Sequence, residues 1–518
     1  MAHRALITAA RRWARMPIIA RISVIYVLGR VVTTGFLQIA AQLSGPTSRF
    51  GADASIGSFL VGWDAQWYWL VAWQGYPSVL PLTESGQIAE NAWAFMPVYA
   101  YTAGVLGLPF GSWGIGALLI SLVAGFLACL MLYRLLHGRV GSSAALWAVT
   151  FFAWGPLAAM FQVGYAEALF VLLLLLALDL VARRRYGWLY LVVPVMAFTR
   201  PGILAFALYL GLYGILRWIR RRTDPLPVRE ILHIVALGAL ATATGFAWQV
   251  IAAVVTQDPG AYMATELAWR RNWVTGADGS FVPFDGWVQA AQFWFTQWRM
   301  PGWWGLIALV LLVIGFAAVL LFAPQVRRLG VDLRLWSASY LLYLLAVFFP
   351  QSSAFRLLMP LTPLWGPLPC RARAGIASAY WRCVCLVSGS GSTSFSRSAT
   401  RSGKCRDDEF TLRSPLGAPG RKHTDKLDAY HRGKRSHDGS DEAEDRRRTH
   451  GGREGGTTDH RARSPRRRRT TGRLSQRCRS EGVARRAGRR CELIFDFHFE
   501  GATDLLIRRP FWVELELS

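Results

Sequence analysis

Four charged residues carry most of the chemistry this sequence could perform: Asp64, Glu167, Arg200 and Arg356. Asp64 lies inside residues 58–77, a run that also holds Trp63, Trp67, Tyr68, Trp69 and Trp73. Desolvation among apolar neighbours disfavours a carboxylate's charge and makes such a group a better proton acceptor. Glu167, Arg200 and Arg356 fall in or beside long apolar stretches, where a polar side chain is costly and points to function. Guanidinium groups bind phosphate bidentately and stay charged at physiological pH. One carboxylate with two or three arginines therefore fits a general base beside a clamp for an anionic, phosphate-bearing ligand. The plain alternative for each residue alone is a helix cap or a side chain resting at a membrane interface.

The elements that must position these residues are membrane helices. The 518 residues carry a net charge of +26, but two unlike segments share it. Residues 1–366 hold 25 Arg, no Lys, 13 Asp+Glu and 21 of the 23 Trp. Residues 367–518 hold the other 33 Lys+Arg and 19 acids. The first segment repeats apolar stretches of about 17–25 residues, enough to span a ~30 Å hydrocarbon core. Examples are 19–43, 115–136, 166–181, 231–255 and 303–322. The first is too long for a signal-peptide core and reads as a retained anchor. A soluble protein does not bury that many helices that are apolar all round. With one Cys (Cys129) in this segment, neither a disulfide framework nor a metal site is indicated. The fold class expected is all-α, a polytopic transmembrane bundle of about nine spans plus interfacial helices.

Arginine clusters orient it. Arg4/Arg11/Arg12/Arg15, Arg134/Arg139, Arg183–Arg185, Arg217–Arg222 and Arg327/Arg328/Arg334 can all sit on the cytoplasmic side, which places the N-terminus there. Residues 95–108 are then a short re-entrant or interfacial helix. The outer face receives the loop 44–94, tips at 164–167 and 199–202, the loop 256–301 and a tip at 351–360. Asp64, Glu167, Arg200 and Arg356 all fall on that face. Phe59, Trp63, Trp67, Leu70 and Val71 recur at helical spacing, as in a helix lying in the interface. The midplane reads as almost wholly apolar, whereas a transporter tends to place its site there, on broken helices.

Four segments resemble those of the PIG-V-like mannosyltransferases, polytopic glycosyltransferases of the GT-C class. Trp63-Asp64-Ala65-Gln66-Trp67-Tyr68, continuing to Gly75-Tyr76, is similar to the family's Trp-Asp-x-x-x-Tyr/Phe … Gly-Tyr element. Residues 94–99 resemble Ala-Phe-Phe-Pro-Leu-Tyr, with Met96 for the second Phe. Residues 165–170 resemble Tyr-Ser/Ala-Glu-Ser/Ala-Leu-Phe, and Thr199-Arg200-Pro201-Gly202 resembles Thr/Val-Arg-Pro/Ser-Asn/Gly-Gly. Beside these four, residues 355–360 bear a weaker resemblance to a late Arg-Tyr-x-x-Pro segment, with Leu357 for Tyr. The likeness covers roughly residues 15–366. It implies an integral membrane glycosyltransferase moving a sugar, mannose by resemblance, from a polyprenyl-phosphate donor to an acceptor hydroxyl on the extracytoplasmic side. Asp64 would be the catalytic base. Arg200 and Arg356 would stabilise the departing lipid phosphate, and Glu167 would orient a sugar hydroxyl or an arginine. Trp63, Tyr68, Tyr99 and Tyr165 would contact sugar. No organic cofactor is implied; a divalent cation is compatible with the chemistry, although no compact acidic cluster marks a site for one. The partners expected are the lipid-linked donor, a lipid or glycan acceptor and membrane lipids, not nucleic acid. The Lys-free, Ala/Arg/Gly/Leu-rich composition suggests a high-GC bacterium and hence a cell-envelope product rather than a GPI anchor.

Residues 367–518 turn abruptly to Ser/Gly- and Arg-rich sequence. Blocks of like charge read as a disordered, basic tail. The break in mid-pattern also matches high-GC coding sequence read out of frame. The alternative function from another class is a transporter or flippase of a lipid-linked substrate.

Overall fold

A computed structural model describes residues 8, 11–271, 273, 281–351 and 353–368. The basic tail, with Cys383 and Cys385, lies outside the described residues apart from Pro367 and Leu368. Among the described residues the chain is all-α, with one isolated antiparallel bridge, Leu82 to Ile88, and no strand.

Four helices among the described residues are long and apolar enough to cross a membrane: α1 (Ile18–Gln42), α5 (Trp113–Val140), α10 (Val228–Thr256) and α13 (Gly302–Phe322). Between them run α2 (Ile56–Leu60), α3 (Asp64–Gln74) and α4 (Pro97–Gly107). After α5 come α6 (Ser142–Trp154), α7 (Glu167–Ala182), α8 (Tyr186–Ala197) and α9 (Ile203–Ile219). Further helices are α11 (Ala261–Arg271), α12 (Asp285–Gln297), α14 (Val331–Val347) and the one-turn α15 (Ala354–Leu357), with a single turn, Pro324–Arg327, before α14. α6 is cut short at Gly155-Pro156, because proline cannot continue a helix; a 3-10 turn, Pro156–Phe161, follows.

α13 buries only Gly305 and Leu320, leaving apolar side chains exposed on most of its circumference. Such a surface suits hydrocarbon rather than water. The main core lies instead between α5, α6, α7, α8, α9 and α14, where Leu132, Leu136, Leu174, Leu175, Phe206, Tyr209 and Trp336 are fully buried.

The segment expected as a re-entrant helix, 95–108, contains α4, packed closely against α5. Gly116 permits this approach: a Cβ there would collide with the Ala103 carbonyl oxygen. The expected interfacial face does not form. The chain breaks at residues 61–63 between α2 and α3, so Phe59 and Trp63 share no continuous stripe with Trp67. α3 buries Ala65, Tyr68 and Val71 instead.

The midplane also departs from expectation. Arg30, halfway along α1, is buried. Its Nη atoms donate to the carbonyls of Ala153 (2.6 Å) and Ala158 at the α6 break. The Tyr26 and Phe161 rings lie 5.0 and 5.1 Å from it. Helix-terminal carbonyls lack intrahelical partners, and a cation complements the negative end of the helix dipole. Arg30 thus closes the broken end of α6 inside the bundle.

Ion pairs gather the arginine clusters at one end. Arg134 and Arg183 flank Asp179 (3.1 and 2.9 Å), and Arg139 meets Asp332 at 2.6 Å. Arg184 and Arg217 share Asp224 (2.8 and 2.9 Å), and Arg217 also reaches Glu230 at 3.0 Å.

The packing gives a first prediction. Gly116→Leu should destabilise the protein by about 1–3 kcal/mol through overpacking. Gly138→Ala, with nothing within 4 Å of the new methyl, should be neutral or stabilising by up to about 1 kcal/mol. Thermal unfolding in detergent, followed by tryptophan fluorescence, checks the contrast.

Candidate active site

The site forms where the ends of α3, α7 and α8 meet α15. α3 starts at Asp64, where an acidic first turn complements the helix dipole. The residue before it, Trp63, has φ 50° and ψ −119°, a region that bulky residues rarely adopt. Gly62 permits the turn, since a Cβ there would strike the Phe50 ring and the Ser58 carbonyl. Backbone strain of this kind clusters at functional sites. Here it sets the first residue of α3 on the site.

Glu167, first residue of α7, is 3% exposed. Its Oε1 lies 2.7 Å from Nη1 of Arg200 and 3.4 Å from Nη1 of Arg356. The same Arg356 nitrogen lies 2.5 Å from Oδ2 of Asp64. The order is therefore Asp64–Arg356–Glu167–Arg200, with charges alternating. Arg200 extends from the turn after α8. Arg356 is held by α14: the Tyr340 hydroxyl donates to the Leu357 carbonyl (2.7 Å), and Trp336 Nε1 donates to the Pro360 carbonyl (2.9 Å).

The Tyr165 ring lies 5.2 Å from the Arg356 guanidinium carbon, and its hydroxyl is hydrogen-bonded by the Asp64 backbone. Burial, then the nearby Asp64 charge, pushes the Tyr165 phenol up. Burial likewise raises Tyr68, which lies within electrostatic reach of all four charged residues. Both phenols are thus neutral hydrogen-bonding groups. For Arg356, burial works against the charge; the Asp64 and Glu167 carboxylates outweigh it and raise the pKa.

The structure thus brings together Asp64, Glu167, Arg200, Arg356, Tyr68 and Tyr165. Asp64 is not surrounded by apolar groups alone, as the sequence implied, but touches a guanidinium. The arginines are not free donors either, since each already faces a carboxylate. Two expected sugar contacts sit elsewhere. Trp63 turns its ring to Phe50 (4.9 Å) and Phe59 (5.7 Å), with the Arg49 guanidinium 5.9 Å from it. Tyr99 is fully buried, its hydroxyl 3.0 Å from both the Ala117 carbonyl and Ser121 Oγ. It supports Tyr68 from behind, ring centroids 5.1 Å apart. A sugar on the surface of the site would not reach it.

One group escaped the sequence reading. Glu266 on α11 is hydrogen-bonded to Tyr262, one turn earlier, and feels the charge of Arg200. Its signal was an i,i+4 Tyr/Glu pair followed by Trp269, inside a stretch read simply as an outer loop. α11 is fastened to the first loop: Asn91 Nδ2 donates to Thr265 Oγ1 (2.8 Å), and Trp269 packs edge-on against Trp67 (5.8 Å) and Phe95 (6.0 Å). Among the described residues no group of three or more His, Cys, Asp or Glu is arranged to hold a metal ion.

No protein-family model matches the chain, and none of the curated proteins matches it. Among solved structures, the chain is similar to the Archaeoglobus fulgidus oligosaccharyltransferase, crystallised with a tethered acceptor peptide. The identity is 12% and the TM-score 0.31, over 71% of this chain and 55% of that one, so this chain spans little more than half its length. At that TM-score the likeness does not bear on the site; the fold rests on the helices described above.

Glu167 should be the residue on which the network's stability depends. Removing one partner of a buried ion pair costs about 3–5 kcal/mol. Glu167→Gln should lower stability by that order, and Glu167→Gln with Arg200→Met should recover part of it. Asp64→Asn, at a side chain 25% exposed, should cost about 1 kcal/mol at most. Equal melting temperatures for the two single variants would refute the ranking.

Proposed function

We propose that the protein is an integral membrane glycosyltransferase of the GT-C type. It moves a sugar, mannose by motif resemblance, from a polyprenyl-phosphate donor to an acceptor hydroxyl at the membrane face opposite the arginine clusters, the extracytoplasmic one. The observation that carries this reading is the Asp64–Arg356–Glu167–Arg200 chain, with Asp64 Oδ2 2.5 Å from Arg356 Nη1.

In this reading Asp64 takes the proton of the acceptor hydroxyl. The acceptor oxygen attacks the anomeric carbon, the bond from that carbon to the phosphate oxygen breaks, and the phosphate leaves with the electron pair. Arg200 and Arg356 bind that phosphate as its charge grows, where preorganised cations act most strongly. The Asp64–Arg356 contact couples the two halves. A donor phosphate drawing on Arg356 loosens its hold on Asp64, so the base is freed as the donor arrives. Tyr165 and Tyr68, the neutral phenols beside the charged row, are hydrogen-bonding groups for the sugar. The reaction needs no organic cofactor.

Transport of a lipid-linked substrate is the second reading, favoured by one observation, the polar break at Arg30 in mid-bundle. That cation already donates to two backbone carbonyls, which supports a structural role for it.

The test uses membranes, radiolabelled polyprenyl-phosphate mannose and a lipid acceptor extract. Wild type should transfer label, and Asp64→Asn, still folded, should lose it by at least about 10²-fold, the low end for a positioned general base. Equal rates would remove Asp64 from the role. Donor movement across vesicles without transfer would favour the transporter.

A further inference from the structure

Ser121 is a fully buried hydroxyl on α5 with an unusual partner. Helical hydroxyls tend to donate to the carbonyl four residues back, and Thr33, Thr150 and Ser337 of this chain do so. Ser121 does not. Its Oγ lies 2.7 Å from the Val163 carbonyl oxygen, 42 residues away in the chain. The carbonyl it forgoes, that of Ala117, accepts instead from the Tyr99 hydroxyl of α4 at 3.0 Å. Tyr99 is also 3.0 Å from Ser121 Oγ. A serine hydroxyl has one proton and the Val163 carbonyl takes it, so Tyr99 is the donor in that pair.

We propose that Ser121 is a positioning residue for the charged row: it pins the turn 163–165 and, through Tyr165, sets how Arg356 meets Asp64. The inference rests on the glycosyltransferase reading for the reaction it serves, and on geometry alone for the pinning.

The turn is small and lies between two parts of the site. Tyr165 N–H donates to the Val163 carbonyl at 2.8 Å, closing a three-residue turn. A carbonyl oxygen has two lone pairs, and Ser121 supplies the donor for the second. Gly164 N–H donates to the Leu60 carbonyl at the end of α2, also at 2.8 Å. A Cβ at Gly164 would come within 3.1 Å of the Ala65 methyl, so the turn lies against the residue that follows Asp64. On its other side the Tyr165 ring is 5.2 Å from the Arg356 guanidinium carbon, and the chain enters α7 at Glu167 two residues later. A shift of the turn therefore moves the ring beside Arg356 and the start of α7 together. Ser121 hydrogen-bonds to Tyr99, to Val163 and, at 3.5 Å, to the Tyr165 carbonyl, so its influence on the row passes through this turn. When its hydroxyl is lost, the Val163 carbonyl still has the Tyr165 N–H. The turn loosens without leaving a bare buried acceptor.

Two measurements on the full-length protein test this. Amide exchange, read by mass spectrometry on peptides covering residues 160–170, reports the turn directly. Ser121→Ala should speed exchange of the Gly164 and Tyr165 amides about tenfold, with the peptides of α1 and α10 unchanged. In the mannose-transfer assay the same variant should lower kcat about tenfold, since a small misplacement of reacting groups suffices for that, with the donor KM within about twofold of wild type. Tyr165→Leu, which removes the ring beside Arg356, should lower kcat by a similar factor. Ser121→Ala added to Tyr165→Leu should then cost less than about twofold more, whereas a general packing role would multiply the two losses. Ser121→Cys, close in size but only a weak donor, replaces Ser121→Ala if that variant does not fold, with the same expectations. Unchanged exchange in the turn, an unchanged kcat, or multiplied losses in the double variant overturns the proposal and leaves the transferase reading intact. Faster exchange in a protein whose wild type transfers no mannose overturns the transferase reading and supports the pinning.

Discussion

One buried carboxylate organises the charged end of this molecule. Glu167 begins α7 at 3% exposure and faces two guanidiniums from distant parts of the chain. A carboxylate that deep is tolerated only when paired, and so is each guanidinium beside it. The turn after α8 and the α15 turn are therefore tied to the start of α7, and through Arg356 to the start of α3. Four segments separated by as much as 292 residues, from Asp64 to Arg356, meet through one alternating row of charges. The same row that holds the loops together is the chemistry the loops present. A substrate that competes for Arg356 or Arg200 therefore acts on the anchoring of the loops as well.

The bundle beneath keeps its charges at its two ends, with one exception. Arginines on α5, α9 and the α7–α8 connection are paired with Asp179, Asp224, Glu230 and Asp332 at the end away from Asp64. Between the ends, Arg30 alone among the charged residues of α1's interior is buried, and its partners are carbonyls rather than a carboxylate. That choice follows from the break in α6. Pro156 ends the helix inside the bundle, leaving carbonyls without donors where water cannot supply them. A guanidinium satisfies two at once. The break in turn lets the chain reach Gly164 and Tyr165 and enter α7 at Glu167, so a mid-bundle cation supports the site at the far end.

Apolar length made the helical class legible in the sequence, and it carried over to α1, α5, α10 and α13. The shorter helices were less legible, because their ends are decided by local breakers and by neighbours such as the Gly116–Ala103 contact rather than by span length. Of the candidate residues, the charged ones were legible because a charge in an apolar stretch has few reasons to be there. The aromatic ones were not. Tyr99 and Tyr68 both sit in motif-like runs, yet one is sealed behind the other, and nothing in spacing alone distinguishes a wall from a surface. Trp63 was read as one step of a helical face, whereas its positive φ ends that face and aims Asp64. Arg30 was passed over as a residue within a long apolar run, since the carbonyls it serves belong to a break more than 120 residues away.

Glu266 was hidden for a different reason. Its environment is built by tertiary contacts that no local pattern announces: a buried asparagine holding Thr265, an indole packed on Trp67, and the charge of Arg200 from the end of another helix. Burial raises this carboxyl's pKa, and the Arg200 charge opposes that rise. Arg200 in turn already faces Glu167 at 2.7 Å. The loop helix is therefore tied to the charged row by electrostatics acting between distant parts of the chain, which no spacing within residues 256–301 could reveal.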